Sequence, residues 1–327
     1  MKADLIAPEI SVVAPVFNEA EGIKTFAETV IAVLEQTTDS WELVLVDDGS
    51  SDGSWEILRS LHDKNQRIKI LRLSRNFGNQ AAISAGLKRA QGSAVITMDS
   101  DLQHPPELIP QMVQLWKSGF QSIYTIRTYS EETGFLKQFT SSAFAKAMNF
   151  FSTTSMPEGM SDYRLLDRKI VDSLNAMGEN ARFVRAMVSW LGFRQAGLPF
   201  TTKPRVAGTT KFSVVKLLRL SLDGITSFSV MPLRWITCCG LIVAAMSLFY
   251  AGYVLCEVIA TGITTPGWST LVVAVLFLGG IQLTALGIVG EYVGRIYMET
   301  KHRPLFVVEE QLGFEADTLS VFDVKAA

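Results

Sequence analysis

Residues 93–101 read Ser-Ala-Val-Ile-Thr-Met-Asp-Ser-Asp and carry the strongest structural signal in this 327-residue chain. The apolar run predicts a short buried strand, and two carboxylates, Asp99 and Asp101, stand one residue apart where that strand ends. Such a pair suits a divalent cation, because Mg²⁺ prefers oxygen ligands and usually binds one or two carboxylates together with substrate phosphates. Most isolated Asp-x-Asp triplets are solvated turns, so the value of this one depends on the sequence around it.

The first 130 residues alternate short β-branched runs with helical patterns. Strands are predicted at Ile10–Val16, Trp41–Val46, Ile68–Leu73, Ala94–Met98 and Ser122–Ile126. Helices are predicted between them at Ala20–Glu35, Ser54–Lys64, Asn79–Ala90 and Pro106–Lys117. This alternation is typical of an α/β fold with a Rossmann-like, mostly parallel sheet, which binds ligands at the carboxyl ends of its strands. We therefore expect Asn18-Glu19, Asp47-Asp48 and Asp99-Ser100-Asp101 to meet at one rim of the sheet.

Composition excludes a nucleic-acid-binding class and reveals an apolar carboxyl-terminal part. The 30 basic and 32 acidic residues give a net charge of −2, so no nucleic-acid partner is expected. Hydrophobic residues make up 48% of the chain, and the mean hydropathy is +0.24, with the excess near the carboxyl end. Neither a disulfide framework nor zinc-site spacing is present among the three cysteines, which are Cys238, Cys239 and Cys256.

Two uncharged stretches, Ile236–Cys256 and Trp268–Gly290, each exceed the ~18 apolar residues that indicate a transmembrane helix. A buried hairpin of core helices is the alternative, although core helices rarely stay uncharged on every face. The connecting loop has no Lys or Arg, whereas the outer flanks contain Lys211, Lys216, Arg219, Arg234, Arg295, Lys301 and Arg303. The positive-inside bias then predicts a multi-pass protein of the inner (cytoplasmic) membrane, with the amino-terminal domain and both termini in the cytoplasm.

The expected organisation has four parts. Residues 1–210 form the cytoplasmic α/β domain, 211–231 an amphipathic juxtamembrane segment, 232–297 a two-helix transmembrane hairpin and 298–327 a cytoplasmic tail with a strand-like run at 305–308. The juxtamembrane segment suits an interfacial helix on the membrane surface, with an ordinary amphipathic core helix as the alternative. Close helix contacts, and with them a homo-oligomer, are allowed by Gly279, Gly280, Gly287 and Gly290.

Four motifs follow the predicted strands in order: Pro15-Val16-Phe17-Asn18-Glu19, Val46-Asp47-Asp48-Gly49-Ser50-Ser51-Asp52, Ser74-Arg75-Asn76-Phe77-Gly78 and Asp99-Ser100-Asp101-Leu102-Gln103. In this order and spacing they resemble the family 2 glycosyltransferases of GT-A fold. Within that family they look like the polyprenyl-phosphate glycosyltransferases, which include dolichol-phosphate mannose synthase and bacterial undecaprenyl-phosphate glucosyltransferases. The resemblance extends over nearly the whole chain. It implies a nucleotide-sugar donor, a polyprenyl-phosphate acceptor at the membrane, and Mg²⁺ or Mn²⁺ as the cofactor.

The resemblance also implies roles for residues on the donor side. The nucleotide-sugar pocket would be lined by Pro15, Phe17, Glu19, Asp47, Asp48 and Asp99. Phe17 stands where the family often has Tyr, so a hydroxyl contact is lost while ring stacking remains. A plain turn is the alternative for residues 47–50. The metal and the donor diphosphate would be surrounded by Asp99, Asp101 and Gln103, with Asp101 and Gln103 as the direct ligands.

On the acceptor side, Arg127 resembles the arginine that binds the acceptor phosphate in this family, and arginine grips phosphate bidentately. Further phosphate candidates are Lys137, Arg205 and Lys211, for which a solvated surface lysine or lipid-headgroup attraction is the alternative. Asp162 stands where some members have a general base. The alternative is a structural role, in which Asp162 orients Arg164 or another basic residue, including the cations that bind the acceptor. A base is needed less here, because an acceptor phosphate with a second pKa of about 6 is already largely a dianion. The catalytic set is then Asp99, Asp101, Asp162 and Arg127.

The implied function is inverting transfer of a sugar onto undecaprenyl or another polyprenyl phosphate at the cytoplasmic membrane face. Glucose from UDP-glucose is the leading choice, because residues 73–78 and 161–164 look most like the bacterial glucosyl branch. Mannose, N-acetylglucosamine, galactose and modified arabinose are the alternative sugars. A processive polysaccharide synthase would need Gln-x-x-Arg-Trp, where this chain has Met231. A membrane-anchored protein that binds nucleotide-sugar or lipid without catalysis is the non-enzymatic alternative.

Overall fold

The structure is a computed structural model that describes residues 8–128, 159–179, 182–201, 231–261 and 267–314. These residues fall into two compact units. The first, here called the α/β unit, contains the described residues before 202 together with 302–314. The second, called the helical unit, contains the described residues from 231 to 301. Lys137, Arg205, Lys211 and the predicted juxtamembrane helix lie outside the described residues.

The α/β unit alternates strands and helices along the chain. Its strands are β1 Ile10–Val16, β2 Trp41–Asp47, β3 Ile68–Leu73, β4 Ala94–Thr97, β5 Ser122–Thr128, β6 Met160–Asp167, β7 Gln195–Thr201 and β8 Val308–Leu312. Its helices are α1 Ile23–Thr37, α2 Ser54–Lys64, α3 Asn79–Arg89, α4 Ile109–Lys117, α5 Arg168–Ala176 and α6 Val184–Trp190, with a 3₁₀ turn at Pro106–Leu108 before α4. The five predicted strands and four predicted helices of the first 130 residues are confirmed to within a few residues.

The described strands form one sheet in the order β7-β5-β6-β4-β1-β2-β3-β8. Strands β4, β1, β2 and β3 run parallel, and β5 runs parallel to β7. Both faces are covered, because α1, α2 and α4 pack in one apolar cluster while α3, α5 and α6 pack in another. Coverage of both faces explains why β1 and β2 are almost continuously apolar rather than alternating. The predicted Rossmann-like, mostly parallel sheet is confirmed.

Strand β6 lies between β4 and β5 and runs antiparallel to both, so a different end of this strand lies at the rim. It pairs antiparallel with β4, with Thr97 opposite Arg164, and antiparallel with β5. Its amino-terminal end therefore lies beside the carboxyl ends of β4 and β5. Residues at the start of β6, Asp162 among them, consequently join the rim where the parallel strands end.

Strand β8 closes the sheet beside β3, with which it pairs antiparallel. The strand-like run expected at 305–308 is placed wrongly, because the observed strand is Val308–Leu312. The reason is that Phe306 and Val308 pack against the apolar cluster of α3 and α5, while pairing with β3 continues through polar residues to Leu312. Backbone pairing, rather than local apolarity, therefore sets the limits of this strand.

The helical unit consists of two long helices, α7 Met231–Thr261 and α8 Trp268–Thr300. Large apolar side chains are exposed along both, including Leu248 at 78%, Phe249 at 82% and Leu283 at 72%. Within the described residues, one segment, Phe277–Thr300, is long and apolar enough to cross a membrane, and a shorter apolar segment spans Trp235–Tyr250. The predicted pair of transmembrane helices is therefore supported by one candidate span and otherwise stays a prediction.

Candidate active site

The loop after β4 brings the two carboxylates of the Asp-x-Asp triplet to the rim. Leu102 has a φ of +59°, a left-handed conformation that is costly for a branched side chain and typical of strained functional loops. Asp101 Oδ1 accepts a hydrogen bond from the Gln103 backbone N–H at 3.1 Å. The Ser100 hydroxyl donates to the Pro15 carbonyl at 2.8 Å, which fixes the loop to the end of β1. Hydrogen bonds therefore hold the triplet at the rim, and it is not a solvated turn without contacts to the rest of the fold.

Asp99 is a carboxylate whose pKa is strongly shifted by its surroundings. Its side chain keeps 37% of its surface exposed, yet burial raises its pKa to about 6, with further contributions from the nearby charges of Asp162 and Asp101. A hydrogen bond from the Asn79 side chain acts in the opposite direction. A cation at this place would relieve the carboxylate repulsion, so the electrostatics favour cation binding.

His104 links the loop to β6 and was missed by the sequence analysis. It is 1% exposed, and burial lowers its pKa to about 4, so the ring is neutral near pH 7. Its Nδ1 accepts the Asp99 backbone N–H at 3.0 Å, which leaves the proton on Nε2, 2.9 Å from the Ser161 hydroxyl. The ring also stacks on Tyr163 at 5.1 Å between centroids. His104 thus holds the backbone of Asp99 in place.

Asp162 is held by a bidentate ion pair. Arg185 donates from Nε to Oδ1 at 2.7 Å and from Nη2 to Oδ2 at 2.6 Å, and it also donates to the Met160 carbonyl at 2.9 Å. Although burial alone would raise the pKa of Asp162, the neighbouring guanidinium groups of Arg185 and Arg164 keep it below the usual value. Gln80 lies 3.5 Å from Asp162 Oδ2 and accepts the Val184 backbone N–H at 3.1 Å, which joins α3 to α6. Both oxygens of Asp162 are therefore engaged with cations or amides.

Arg164 adds a second buried cation beside Asp162. It is 1% exposed and donates from Nη2 to the Ser161 carbonyl at 3.1 Å. Among the described residues, its Nε and Nη1 have no hydrogen-bond partner. Burial lowers its pKa to about 10, and the charge of Asp162 opposes that shift. Asp162 is consequently the counter-charge of two arginines.

On the donor side, Asp47 and Asp48 are both buried. Asp47 Oδ1 accepts the Ser50 backbone N–H at 3.0 Å, and Asp48 accepts the backbone N–H groups of Phe77 and Gly78 at 2.7 and 2.9 Å. Burial raises the pKa of each carboxyl. These contacts shape the turn after β2 and the loop after β3. Direct contact of either carboxylate with a nucleotide stays a prediction.

Gly49 lets this turn approach the loop after β3 closely. Its φ is +70°, and a Cβ there would lie 2.6 Å from the backbone carbon of Arg75. Only glycine fits both the conformation and the space. The Asp-Asp-Gly-Ser motif is thus explained by the meeting of two rim loops.

The loop after β1 interlocks with the same turn. Asn18, with a φ of +55°, donates its backbone N–H to the Ser50 hydroxyl at 3.0 Å and accepts the Ser51 N–H on its side chain at 2.9 Å. The Glu19 N–H donates to the Ser54 hydroxyl at 3.0 Å. Phe17 at the tip is 46% exposed, so its ring is open to a stacking partner.

Arg127 lies at the carboxyl-terminal end of β5, where its backbone N–H donates to the Gly159 carbonyl at 2.9 Å. Its side chain is half-buried, and its charge contributes to lowering the pKa of His104. Arg127 therefore brings a cation to the rim that holds the Asp-x-Asp loop.

The donor set fits a hard divalent cation of the kind that shares its ligands with substrate. Within the described part of the chain, no group of three or more His, Cys, Asp or Glu side chains converges as a metal cage. Mg²⁺ usually binds through one or two carboxylates together with substrate phosphates and water, and Asp99 and Asp101 supply that number. The residues present therefore fit a cation completed by a bound diphosphate.

Known glycosyltransferases resemble this chain in sequence over most of its length. The family model described as Glycosyl transferase family 2 matches residues 11–174. The chain belongs to glycosyl transferase family 2. It is 40% identical to an uncharacterized glycosyltransferase of Synechocystis sp. over 94% of this chain and 96% of that one. It is 39% identical to the bactoprenol glucosyl transferase of Shigella phage SfV over 93% of this chain and 99% of that one. A mannosyltransferase of Pyrobaculum calidifontis, solved with GDP-Man and Mn²⁺, aligns over 88% of each chain with a TM-score of 0.47 and 16% identity.

Membership in family 2 confirms the resemblance read from the four motifs, and the predicted GT-A-like fold agrees with the sheet. The same rim of this family 2 glycosyltransferase also contains side chains for which the sequence predicted no role, namely Asn79, Gln80, His104 and Arg185. Arg164 was expected as a basic residue oriented by Asp162, and the two charges do influence each other's pKa. His104 carried a signal, because it ends the Asp-Ser-Asp-Leu-Gln-His run. Arg185 had none, since it reaches Asp162 only through the packing of α6 on β6.

Proposed function

We propose that this chain is a membrane-bound, metal-dependent glycosyltransferase that moves a sugar from a nucleotide-sugar onto polyprenyl phosphate at the cytoplasmic face of the membrane. Glucose from UDP-glucose is the preferred donor sugar in this proposal. The observation that carries it is the meeting of three features at one rim: the interlocked donor loops after β1 and β2, the carboxylate pair after β4, and the cation Arg127 at the end of β5.

The donor would bind with its base near the exposed ring of Phe17 and its diphosphate toward Asp99 and Asp101. Gln103, whose backbone is tied to Asp101 at 3.1 Å, is the third candidate ligand. A divalent cation held by these residues would neutralise charge on the departing nucleoside diphosphate. The Asp99 carboxylate is fixed for this task through its backbone bond to His104 and its side-chain bond to Asn79.

The acceptor phosphate would be positioned by Arg127, which offsets repulsion between the two negatively charged substrates. One oxygen of this phosphate attacks the anomeric carbon while the bond from that carbon to the nucleoside diphosphate breaks, with inversion at the carbon. The acceptor is already largely a dianion near neutral pH, so no proton has to be removed from it. This fits an Asp162 whose oxygens are occupied by Arg185, because such a carboxylate is a poor proton acceptor.

Membrane attachment is supported by the composition and exposure of the helical unit. Exposed leucine and phenylalanine side chains along α7 and α8 suit contact with lipid better than contact with water. We extend the proposal to two membrane spans, with the α/β unit in the cytoplasm, on the basis of the charge asymmetry of the flanking segments. Several relatives at 38–39% identity are bactoprenol glucosyl transferases, which supports the choice of lipid and sugar.

The test is sugar transfer from labelled UDP-glucose to undecaprenyl phosphate by the purified full-length protein, with product mass measured. Asp101→Asn should lower the rate by about 10²–10³, a loss typical of removing one transition-state charge contact. Asp63→Asn is the matched control, because this exposed carboxylate lies on α2, and it should leave the rate unchanged. Full activity in excess EDTA would contradict the metal role. Absence of transfer with the nucleotide-activated forms of glucose, mannose, N-acetylglucosamine, galactose and modified arabinose would contradict catalysis and favour a non-catalytic binding protein.

A further inference from the structure

The last strand of the sheet contains an irregularity that faces the donor side of the rim. Pairing of β3 with β8 runs from Ile70 opposite Leu312 to Arg72 opposite Glu310, and then shifts so that Leu73 lies opposite Val308. Glu309 is the extra residue at this β-bulge. Bulges re-aim side chains and are frequent next to active sites, so this bulge sets the direction in which the Glu309 side chain leaves the backbone.

The Glu309 carboxylate lies against Arg72, which in turn lies against Asp47. The Arg72 Nε atom is 3.5 Å from Glu309 Oε2 and 3.4 Å from Asp47 Oδ2. The Arg72 guanidinium also lies over the ring of Trp55, 5.5 Å from its centroid. The Glu309 side chain is 56% exposed, the Arg72 side chain 29% and the Asp47 side chain 0%. Glu309, Arg72 and Asp47 therefore form a row of alternating charges that leads from the surface of β8 to the buried carboxylate at the end of β2.

Asp47 transmits this contact to the donor loops through hydrogen bonds already described. Its Oδ1 accepts the Ser50 N–H at 3.0 Å, and the Ser50 hydroxyl accepts the Asn18 N–H at 3.0 Å. Asn18 precedes the turn into α1 and follows the exposed Phe17. Among the described residues, Asp47 Oδ2 has no hydrogen-bond donor, so the nearby Arg72 cation is what balances this oxygen.

We propose that Glu309, on the strand that follows the second long helix, is a positioning residue for the nucleotide site and acts through Arg72 on Asp47 and the donor loops. Arg72 lies between two carboxylates, and Glu309 limits the directions in which its guanidinium can point. The inference rests on the proposed function, because it takes the loops after β1 and β2 to be the nucleotide site. The proposal implies that residues of β8, in the carboxyl-terminal tail, contribute to binding of the nucleotide.

Equilibrium binding of UDP with Mn²⁺ to the full-length protein tests the inference. An exposed ion pair is worth up to about 1 kcal/mol, so Glu309→Gln should weaken UDP binding by about two- to fivefold. Arg72→Gln should weaken it by at least about tenfold, because the buried Asp47 charge then lacks its cation. In the Arg72→Gln background, adding Glu309→Gln should have no further effect, since Glu309 acts only through Arg72.

Glu310→Gln is the matched control. Glu310 neighbours Glu309 on β8 and pairs with Arg59 rather than with Arg72, so its loss should leave UDP binding unchanged. In the transfer assay, Glu309→Gln should raise the KM for the donor and leave kcat unchanged, a split that simple loss of stability would not produce.

The inference would be overturned by wild-type affinity in Glu309→Gln, or by an equal loss from this change with and without Arg72. It would also be overturned by Glu310→Gln weakening UDP binding as much as Glu309→Gln does. Wild-type protein that binds neither UDP nor GDP would contradict the proposed function itself and remove the basis of the inference. These outcomes differ, so failure of one statement can be told from failure of the other.

Discussion

Replacing Asp162 with asparagine distinguishes a positioning carboxylate from a general base. The change keeps the size of the side chain but leaves Arg164, which is 1% exposed, and Arg185, whose side chain is 33% exposed, without their counter-charge. Removing one partner of a buried ion pair costs about 3–5 kcal/mol. Because Arg185 is partly exposed, we expect a loss at the lower end of this range, about 3 kcal/mol. For a unit of this size that corresponds to a fall in Tm of about 6–12 °C.

The assay combines thermal unfolding in detergent with the rate of sugar transfer, for Asp162→Asn, Arg185→Gln and the double variant. In the positioning role, Arg185→Gln lowers transfer as Asp162→Asn does, because either change frees β6 from α6. The double variant should regain part of the lost stability, since no isolated charge of this pair remains. In the base role, Arg185→Gln would raise the pKa of Asp162 and preserve transfer, while Asp162→Asn would abolish transfer at unchanged Tm. That pattern would refute the positioning role.

Two further predictions concern the rim and the core. Since the pKa of Asp99 is raised to about 6, protons compete with the cation at low pH. Mn²⁺ affinity measured by titration should be constant from pH 7 to 8 and fall by up to about tenfold per pH unit below 6, whereas an affinity independent of pH down to 5 would contradict this. Gly86→Ala places a Cβ 2.2 Å from Val13 Cγ1, so thermal or denaturant unfolding should report a loss of about 1–3 kcal/mol. Gly22→Ala, with its nearest atom at 3.9 Å, should leave stability nearly unchanged.

The sequence predicts the parallel part of the fold well, because each strand there is a short run rich in Val, Ile and Leu, and helical patterns separate these runs. The loops after β1, β2 and β4 were expected at one rim, and the interlocking of Asn18 with Ser50 and of Ser100 with Pro15 confirms it. Pattern alone predicts that Asp-x-Asp follows a strand, because the apolar period stops there. It also predicts Pro106 at the first turn of a helical segment, where a missing N–H is harmless.

The direction of a strand cannot be deduced from its composition. Strand β6 runs against β4, so Asp162 reaches the rim from the start of its strand rather than from the end. Its partner Arg185 lies on α6 and reaches Asp162 because α6 packs against β6. The hydrophobic periodicity of either segment does not predict this contact. The burial of Asp47 and Asp48 was equally hidden, because a turn rich in aspartate reads as solvated until the loop after β3 is seen to cover it.

Strands β3 and β8 are neighbours in the sheet but lie more than 230 residues apart in the sequence, and this separation affects how the protein is made. The strands β1 to β4 are complete early in synthesis, but the outer side of β3 finds its partner only when residues 308–312 have been made. Both long helices are synthesised in between, so the edge of β3 stays unpaired while residues 231–300 are being made. An open strand edge is a template for association with other chains. The sheet is therefore complete only after residues 308–312 have been made, and truncations that remove β8 should aggregate through the exposed edge of β3.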